Sequence, residues 1–141
     1  MSEAVGRVAL AEWRGREEAL GARRELAWEL TFNLRGMRGV ASMPHGRWIR
    51  HAYDRYVFRL RSMLWKRTFE ETLAALRAEG LPVEAAVGPS LAAEASMTDD
   101  RTQAATRLPR EMVALPLHAG LTSRDMDQAA AVLRKIERWA L

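Results

Sequence analysis

Tyr53-Asp-Arg-Tyr-Val-Phe-Arg-Leu60 is the stretch whose reading decides the fold. Tyr53, Arg55, Val57 and Arg59 alternate with Asp54, Tyr56, Phe58 and Leu60, and aromatic and β-branched residues are dense. A period of two with that composition reads as a β-strand. Working outward, the elements on either side of it change period. Upstream, residues 3–35 read as one helix, with Ala19, Ala22, Leu26, Leu30 and Leu34 recurring at spacings of three and four. Gly15 and Gly21 weaken that helix, and Gly36 and Gly39 end it. Residues 40–50, with Pro44 and Gly46, read as a loop.

Downstream, residues 63–79 read as a second helix whose inner side is marked by Leu64, Phe69, Leu73 and Leu76. Gly80 stops it and Pro82 forbids its continuation. Pro82 to Val87 reads as a short strand, followed by the turn Gly88-Pro89-Ser90. Residues 92–110 are polar and alanine-rich, a loop with a helical turn, and Glu111 to Leu115 is a third strand ended by Pro116. Thr122-Ser-Arg-Asp125 has capping-box spacing with Asp in place of Glu, and Leu121 and Met126 are placed to staple it. The helix it opens runs to about Trp139. The order helix, strand, helix, strand, strand, helix predicts an α+β fold. The expected architecture is a small three- to four-stranded, mainly antiparallel sheet with helices packed on one face, preceded by a long N-terminal helix.

Composition bounds the chemistry. A chain of 141 residues is one ordinary domain and buries a core without staples. No apolar run is long enough to span a membrane. Met1-Ser2-Glu3-Ala4 lacks the basic region and apolar stretch of a signal peptide, so the expected compartment is the cytoplasm. The absence of cysteine removes disulfides, zinc-thiolate sites and thiol nucleophiles. His45, His51 and His118 show no metal-ligand spacing, and no Gly-rich phosphate loop or Ser-His-Asp set appears. No residue reads as catalytic. The net charge of +4 is uneven: Arg35 to Arg67 carries nine Lys or Arg against Asp54 alone. Such a segment attracts an anion, or is a solvated arginine surface.

Three stretches, in order, resemble the C-terminal small domain of the DegT/DnrJ/EryC1/StrS sugar aminotransferases, fold-type I enzymes dependent on pyridoxal phosphate (PLP). Met1 to Trp13, followed by Arg23-Arg24, is similar to the family's M-S-E-x-x-A-A-x-G-x-x-Q-L and paired arginine, though only Met-Ser-Glu is identical. His51-Ala-Tyr-Asp-Arg-Tyr-Val-Phe-Arg59 is similar to its H-x-Y-x-x-Y-x-x-R strand. Leu115-Pro-Leu-His-Ala-Gly-Leu-Thr-Ser-Arg-Asp-Met-Asp127 resembles L-P-L-H-P-x-L-[ST]-x-x-D-[IVM]-D, the most specific of the three. The resemblance implies a single domain over 1–141, with 1–36 a connecting helix and 37–141 a small α/β sandwich.

It also implies an absence. The family's PLP lysine, the acid that pairs with the pyridine nitrogen, and the phosphate-binding residues belong to a large domain that precedes the matched region. Lys66 and Lys135 are the only lysines here, and neither stands in a matching context. The expectation is that this chain alone binds no cofactor and is no aminotransferase. At Gly80 to Ala92 the family reads G-I-P-x-x-x-x-Y-P-x-P-L-H, and its substrate-facing tyrosine and histidine are Val87 and Ala92 here. Either the substrate differs, or this loop no longer handles substrate.

Two functions follow from the resemblance. In the first, the chain is the small subunit of a split PLP-dependent aminotransferase in sugar, cyclitol or secondary-metabolite biosynthesis. It closes the cleft of a protein partner that carries PLP on a large domain. Arg47, Arg50, His51, Tyr53, Arg55, Arg59 and His118 are then the residues that face substrate or partner. In the second, it is a non-catalytic accessory domain that binds and stabilises a biosynthetic enzyme, or self-associates as a homo-oligomer. Trp13 and Trp28 lie off the stripe of the first helix and are interface candidates in both. Against these, His118 reads as a loop cap, His51 and Tyr53 as core strand residues, and the tryptophans as a second buried face. A nucleic-acid module ranks last, since no recognised motif or stacking platform accompanies the basic segment. A small enzyme with its own pocket has no acid–base pair marked out by sequence.

Overall fold

A computed structural model gives the structure of residues 3–43, 49–88 and 103–141. Helix α1 (Glu3–Asn33) leads through a turn at Gly36 into strand β1 (Val40–Ser42). Strand β2 (Arg55–Leu60), helix α2 (Phe69–Ala78) and strand β3 (Glu84–Ala85) follow. Then come helix α3 (Gln103–Arg107), strand β4 (Met112–Pro116) and helix α4 (Ser123–Ala140). Short 3₁₀ turns, Ser62–Leu64 and Leu108–Arg110, precede α2 and β4. Among the described residues the sheet has four strands in the order β1-β2-β4-β3, every pair antiparallel. The α+β architecture is the expected one. No helix among these residues is long and apolar enough to cross a membrane.

The alternation in β2 aims Tyr56, Phe58 and Leu60 at one face, and all three are buried. Register sets Leu115 opposite Tyr56, Val113 opposite Phe58 and Val40 opposite Leu60, so the same face is apolar on three strands. Helices α1, α2 and α4 cover it with Leu26, Leu30, Leu34, Leu73, Leu76, Met126, Leu133 and Ile136. Thr31 Oγ1 donates to Ala27 O at 2.8 Å, which leaves it to accept from the Tyr56 hydroxyl at 2.8 Å. That bond joins the sheet to α1 and satisfies a phenol whose pKa burial pushes up.

Three expected elements are corrected. The strand expected from Tyr53 begins at Arg55, and His51 and Tyr53 are not core strand residues: Tyr53 takes φ +47° and His51 is exposed. Residues 40–42 are a strand, not loop; three residues are too few to display a period, and β1 is defined by its pairing with β2. The second helix begins at Phe69, not at residue 63. Thr68 caps it with a reciprocal box: Glu71 N–H donates to Thr68 Oγ1 at 3.2 Å and Thr68 N–H to Glu71 Oε2 at 2.9 Å. Leu64, placed on the inner side by the helical reading, is exposed. Trp65 is buried instead, with Nε1 donating to Gly39 O at 2.7 Å. Gly80, at φ +90°, ends α2 in a Schellman turn, with Leu81 N–H bonded to Leu76 O and Gly80 N–H to Arg77 O.

Glu111, at the foot of β4, is 2% exposed and carries the other buried polar cluster. Its Oε1 accepts from Ser62 Oγ at 2.5 Å and its Oε2 from Arg59 Nε at 2.7 Å, while Arg107 Nε lies 3.6 Å away. Burial pushes its pKa up, but the hydrogen bonds from Ser62 and Arg59 and the charges of Arg59 and Arg107 prevail and hold it below the ordinary value.

Two predictions follow from this packing. A Cβ on Gly39 would stand 2.6 Å from Trp65 Nε1, so Gly39→Ala should lower thermal stability by about 1–3 kcal/mol. Gly21→Ala, with nothing within 4 Å, should leave it unchanged or raise it by up to about 1 kcal/mol. Glu111→Gln should cost about 1–2 kcal/mol at pH 7, because it removes the buried anion that accepts from Arg59 and Ser62. A carboxylate with a depressed folded pKa stabilises above its unfolded value of about 4.3 and ceases to do so as pH falls through the folded value. The gap between parent and Glu111→Gln in denaturant melts should therefore close below about pH 4.

Candidate functional site

Helix α1 is too long for the body it packs on. Its buried residues, Leu26, Ala27 and Leu30, all lie in the C-terminal half. Between Glu3 and Glu18 only Gly6 is even partly covered. Val5 and Val8 continue the core-facing stripe beyond the core and are exposed. At about 100° per residue, Leu10, Trp13, Trp28 and Phe32 fall on one arc directed away from Leu26, Leu30 and Leu34. They are 51%, 63%, 63% and 60% exposed. The reading of Trp13 and Trp28 as a second buried face is therefore overturned within this chain. Arg16 stacks on Trp13 at 4.0 Å and Arg35 on Phe32 at 5.0 Å, shielding part of this surface with cations.

Beside α1 a groove of about 250 Å³ opens at the start of β2, lined by Met43, Ile49, His51, Tyr53, Arg55, Val57 and Met112. Arg24 Nε holds its rim by donating to His51 O at 3.0 Å. Tyr53 has φ +47°, a left-handed conformation that a bulky side chain adopts only when its surroundings impose it. Tyr53 N–H donates to His51 Nδ1 at 3.0 Å, and the two rings lie 4.3 Å apart. The neutral imidazole therefore carries its proton on Nε2. Burial pushes the Tyr53 phenol up in pKa.

The remaining candidates separate. Arg55 and Arg59 share the face of the sheet away from the helices, and both are paired. Arg55 reaches Glu84 at 3.2 Å and Asp54 at 3.6 Å, and Arg59 is held by Glu111. Two cations of the basic segment thus meet acids from other parts of the chain that a local count cannot see. Arg50 is exposed just before His51. His118 lies at the same end of the sheet, since Leu117 N–H bonds to Asp54 O, but it lines a different cleft. Its Nδ1 accepts from Gly120 N–H at 3.2 Å, so it does cap its loop. That cleft, about 760 Å³, lies where the ends of α2 and β4 meet the start of α4, with Leu81, Pro82, Leu121 and Val132 on its walls. Sequence reasoning missed it because three element ends build it and no periodic stretch does. Val87 is exposed. Arg47 and Ala92 lie outside the described residues.

Comparison with known proteins places the fold. No family model matches the chain, and no curated relative does. Solved structures match it over nearly its whole length. It is similar to DesI, whose structure was determined in the presence of its TDP-sugar product: 20% identity, 97% of this chain, 36% of that one, TM-score 0.81. It is similar to the aminotransferase TlmJ from Streptoalloteichus hindustanus: 21% identity, 92% of this chain, 34% of that one, TM-score 0.75. A DegT DnrJ EryC1 StrS aminotransferase from Brucella abortus matches at 20% identity over 91% of this chain and 34% of its own, with TM-score 0.71. The chain thus has the fold of one part of these proteins and spans about a third of their length.

The exposure of α1 has a direct test. Trp13→Ala and Trp28→Ala should each leave the melting temperature within about 2 °C of the parent, because neither side chain supports the core. Each should also remove red-shifted, quencher-accessible tryptophan fluorescence. A drop of about 5 °C or more would show the residue to be buried in solution.

Proposed function

We propose that this chain is the small subunit of a split PLP-dependent sugar aminotransferase, docking through α1 onto a partner that supplies the PLP-bearing large domain. The observation that carries the reading is the outer face of α1, Leu10, Trp13, Trp28 and Phe32, exposed on a fold that matches about a third of the length of larger proteins. In a chain whose core closes without it, such a face costs free energy in water and is retained where something covers it. The groove at His51, Tyr53 and Arg55 stands next to α1 and would be the part of this chain nearest the joined cleft.

The residues present do not fit PLP itself. An internal aldimine requires a lysine beside a partner for the ring nitrogen. Lys135 Nζ is engaged by both oxygens of Glu79, at 2.6 and 2.7 Å, on the surface between α4 and α2. Lys66 is exposed beside the end of α4, where its N–H bonds to Ala140 O. Neither lines the groove at His51. The chemistry of the cofactor therefore belongs to the partner in this reading, and this chain contributes cover and orientation.

A second reading draws on Val87. Exposed and without a polar group, it stands where the resembling enzymes have a substrate-facing tyrosine. An accessory domain that stabilises a complete aminotransferase has no use for that hydroxyl.

Co-expression with a DegT-like protein and purification through a tag on this chain distinguishes the readings. The split enzyme predicts a co-eluting protein with an aldimine absorbance near roughly 410–430 nm. It also predicts activity that neither protein shows alone, and loss of co-elution in a Trp13→Ala/Trp28→Ala double variant. A complete partner, equally active without this chain, supports the accessory role. Absence of both protein and chromophore overturns both.

A further inference from the structure

The groove beside α1 holds backbone strain, and one titratable atom helps to keep it there. Tyr53 has φ +47°. For a bulky residue that conformation persists only where neighbours enforce it. Two contacts do so here. Tyr53 N–H donates to His51 Nδ1 at 3.0 Å, and the Tyr53 ring stacks toward Tyr56 with centroids 6.5 Å apart. A side-chain acceptor bonded to the N–H two residues on is the pattern of an Asx turn, which Asn and Asp make with an oxygen. His51 makes it with a ring nitrogen, and that nitrogen accepts only while the imidazole is neutral.

The surroundings do not hold a protonated ring in the same place. Arg24, from α1, donates to His51 O at 3.0 Å, and Arg50 precedes His51 in the chain. The acids that flank this end, Asp54 and Glu84 of β3, are both engaged by Arg55, at 3.6 and 3.2 Å. Among the described residues no carboxylate pairs with His51. A proton on Nδ1 therefore sets a donor against the Tyr53 donor, with a guanidinium close by. One neutral hydrogen bond and one left-handed backbone are of the same order in free energy, so losing the first shifts the second. His118, at the same end of the sheet, gives the contrast. Its Nδ1 accepts from Gly120 N–H at 3.2 Å in the same kind of turn, with Asp125 within electrostatic reach, but Gly120 has no positive φ. Among the described residues only the turn at His51 joins an imidazole to a strained backbone.

We propose that His51 is a proton-operated latch on this groove. Neutral, it holds Tyr53 left-handed, with the ring on the groove wall. Protonated, it releases the Tyr53 N–H, the backbone relaxes to negative φ, and the ring leaves the wall. Histidine changes charge between about pH 5 and 8, so the groove is closed up at the upper end of that range and remodelled at the lower. The inference does not rest on the split-enzyme reading, and either can fail without the other.

Nuclear magnetic resonance of the labelled full chain between about pH 8 and 5 tests it. The intraresidue amide-to-Hα Overhauser effect of Tyr53, strong at positive φ, should fall by about twofold or more as pH drops, with the same midpoint as the His51 ring carbons. Asn accepts in this turn and does not titrate, so His51→Asn should keep the strong signal across the range. His51→Phe, with no acceptor, should show the weak signal already at the upper end. Gly120 should follow His118 in amide shift alone. Melting curves at both ends of the range confirm that each variant folds, and the parent titration decides by itself if His51→Phe does not. A Tyr53 signal that stays strong while the His51 ring titrates, or that falls equally in His51→Asn, overturns the latch.

Discussion

The structure depends on a mismatch of length. At 1.5 Å per residue the 31 residues of α1 run about 46 Å, longer than the roughly 37 Å across of a compact chain of this size. The core therefore covers only the C-terminal half of the helix. There Leu26, Ala27, Leu30 and Leu34 meet the sheet, and the Thr31–Tyr56 hydrogen bond fixes α1 against β2. The N-terminal half gains nothing from this domain's core. An isolated helix of about 15 residues is marginal in water, so its apolar residues have a purpose only if another surface meets them.

Charge follows a similar logic, of matching at a distance. Along the chain, Arg35 to Arg67 is strongly basic. In space, antiparallel pairing sets β2 beside β4 and so brings Glu111 to Arg59, while β3, on the other side of β4, brings Glu84 to Arg55. The segment's other described cations, Arg35, Arg38, Arg50, Arg61, Lys66 and Arg67, remain exposed. Tyr53 is the counterpart in backbone energy. Its left-handed conformation costs on the order of 1–3 kcal/mol and is imposed at the groove rather than in the core.

Much of the fold was legible because its main signals are local. Period two marked β2, Thr122 and Asp125 marked the start of α4, and Gly80 marked the end of α2. Asp125 does hold its carboxylate against Thr122 N–H, at 2.7 Å. What failed depended on distant partners. Val40–Ser42 is a strand only because Leu60, Arg59 and Phe58 are opposite. Trp65 leaves the helical pattern because Gly39 offers a carbonyl and no side chain. The candidate residues were scattered for the same reason: His51, Tyr53 and Arg55 come together, while His118 faces another cleft. Trp13 and Trp28 stood out in the sequence because they broke the stripe, and the structure gives the physical counterpart, two large rings left in water.

Hydrogen–deuterium exchange of α1 tests the central claim most directly, measured on the chain alone at micromolar concentration and again in complex with a PLP-bearing partner. In the free chain, exchange should be fast from about residue 3 to 18 and slow from about 26 to 33. In the complex, protection should extend through Trp13. Slow exchange over the whole helix in a monomeric free chain, or no added protection in the complex, would contradict it.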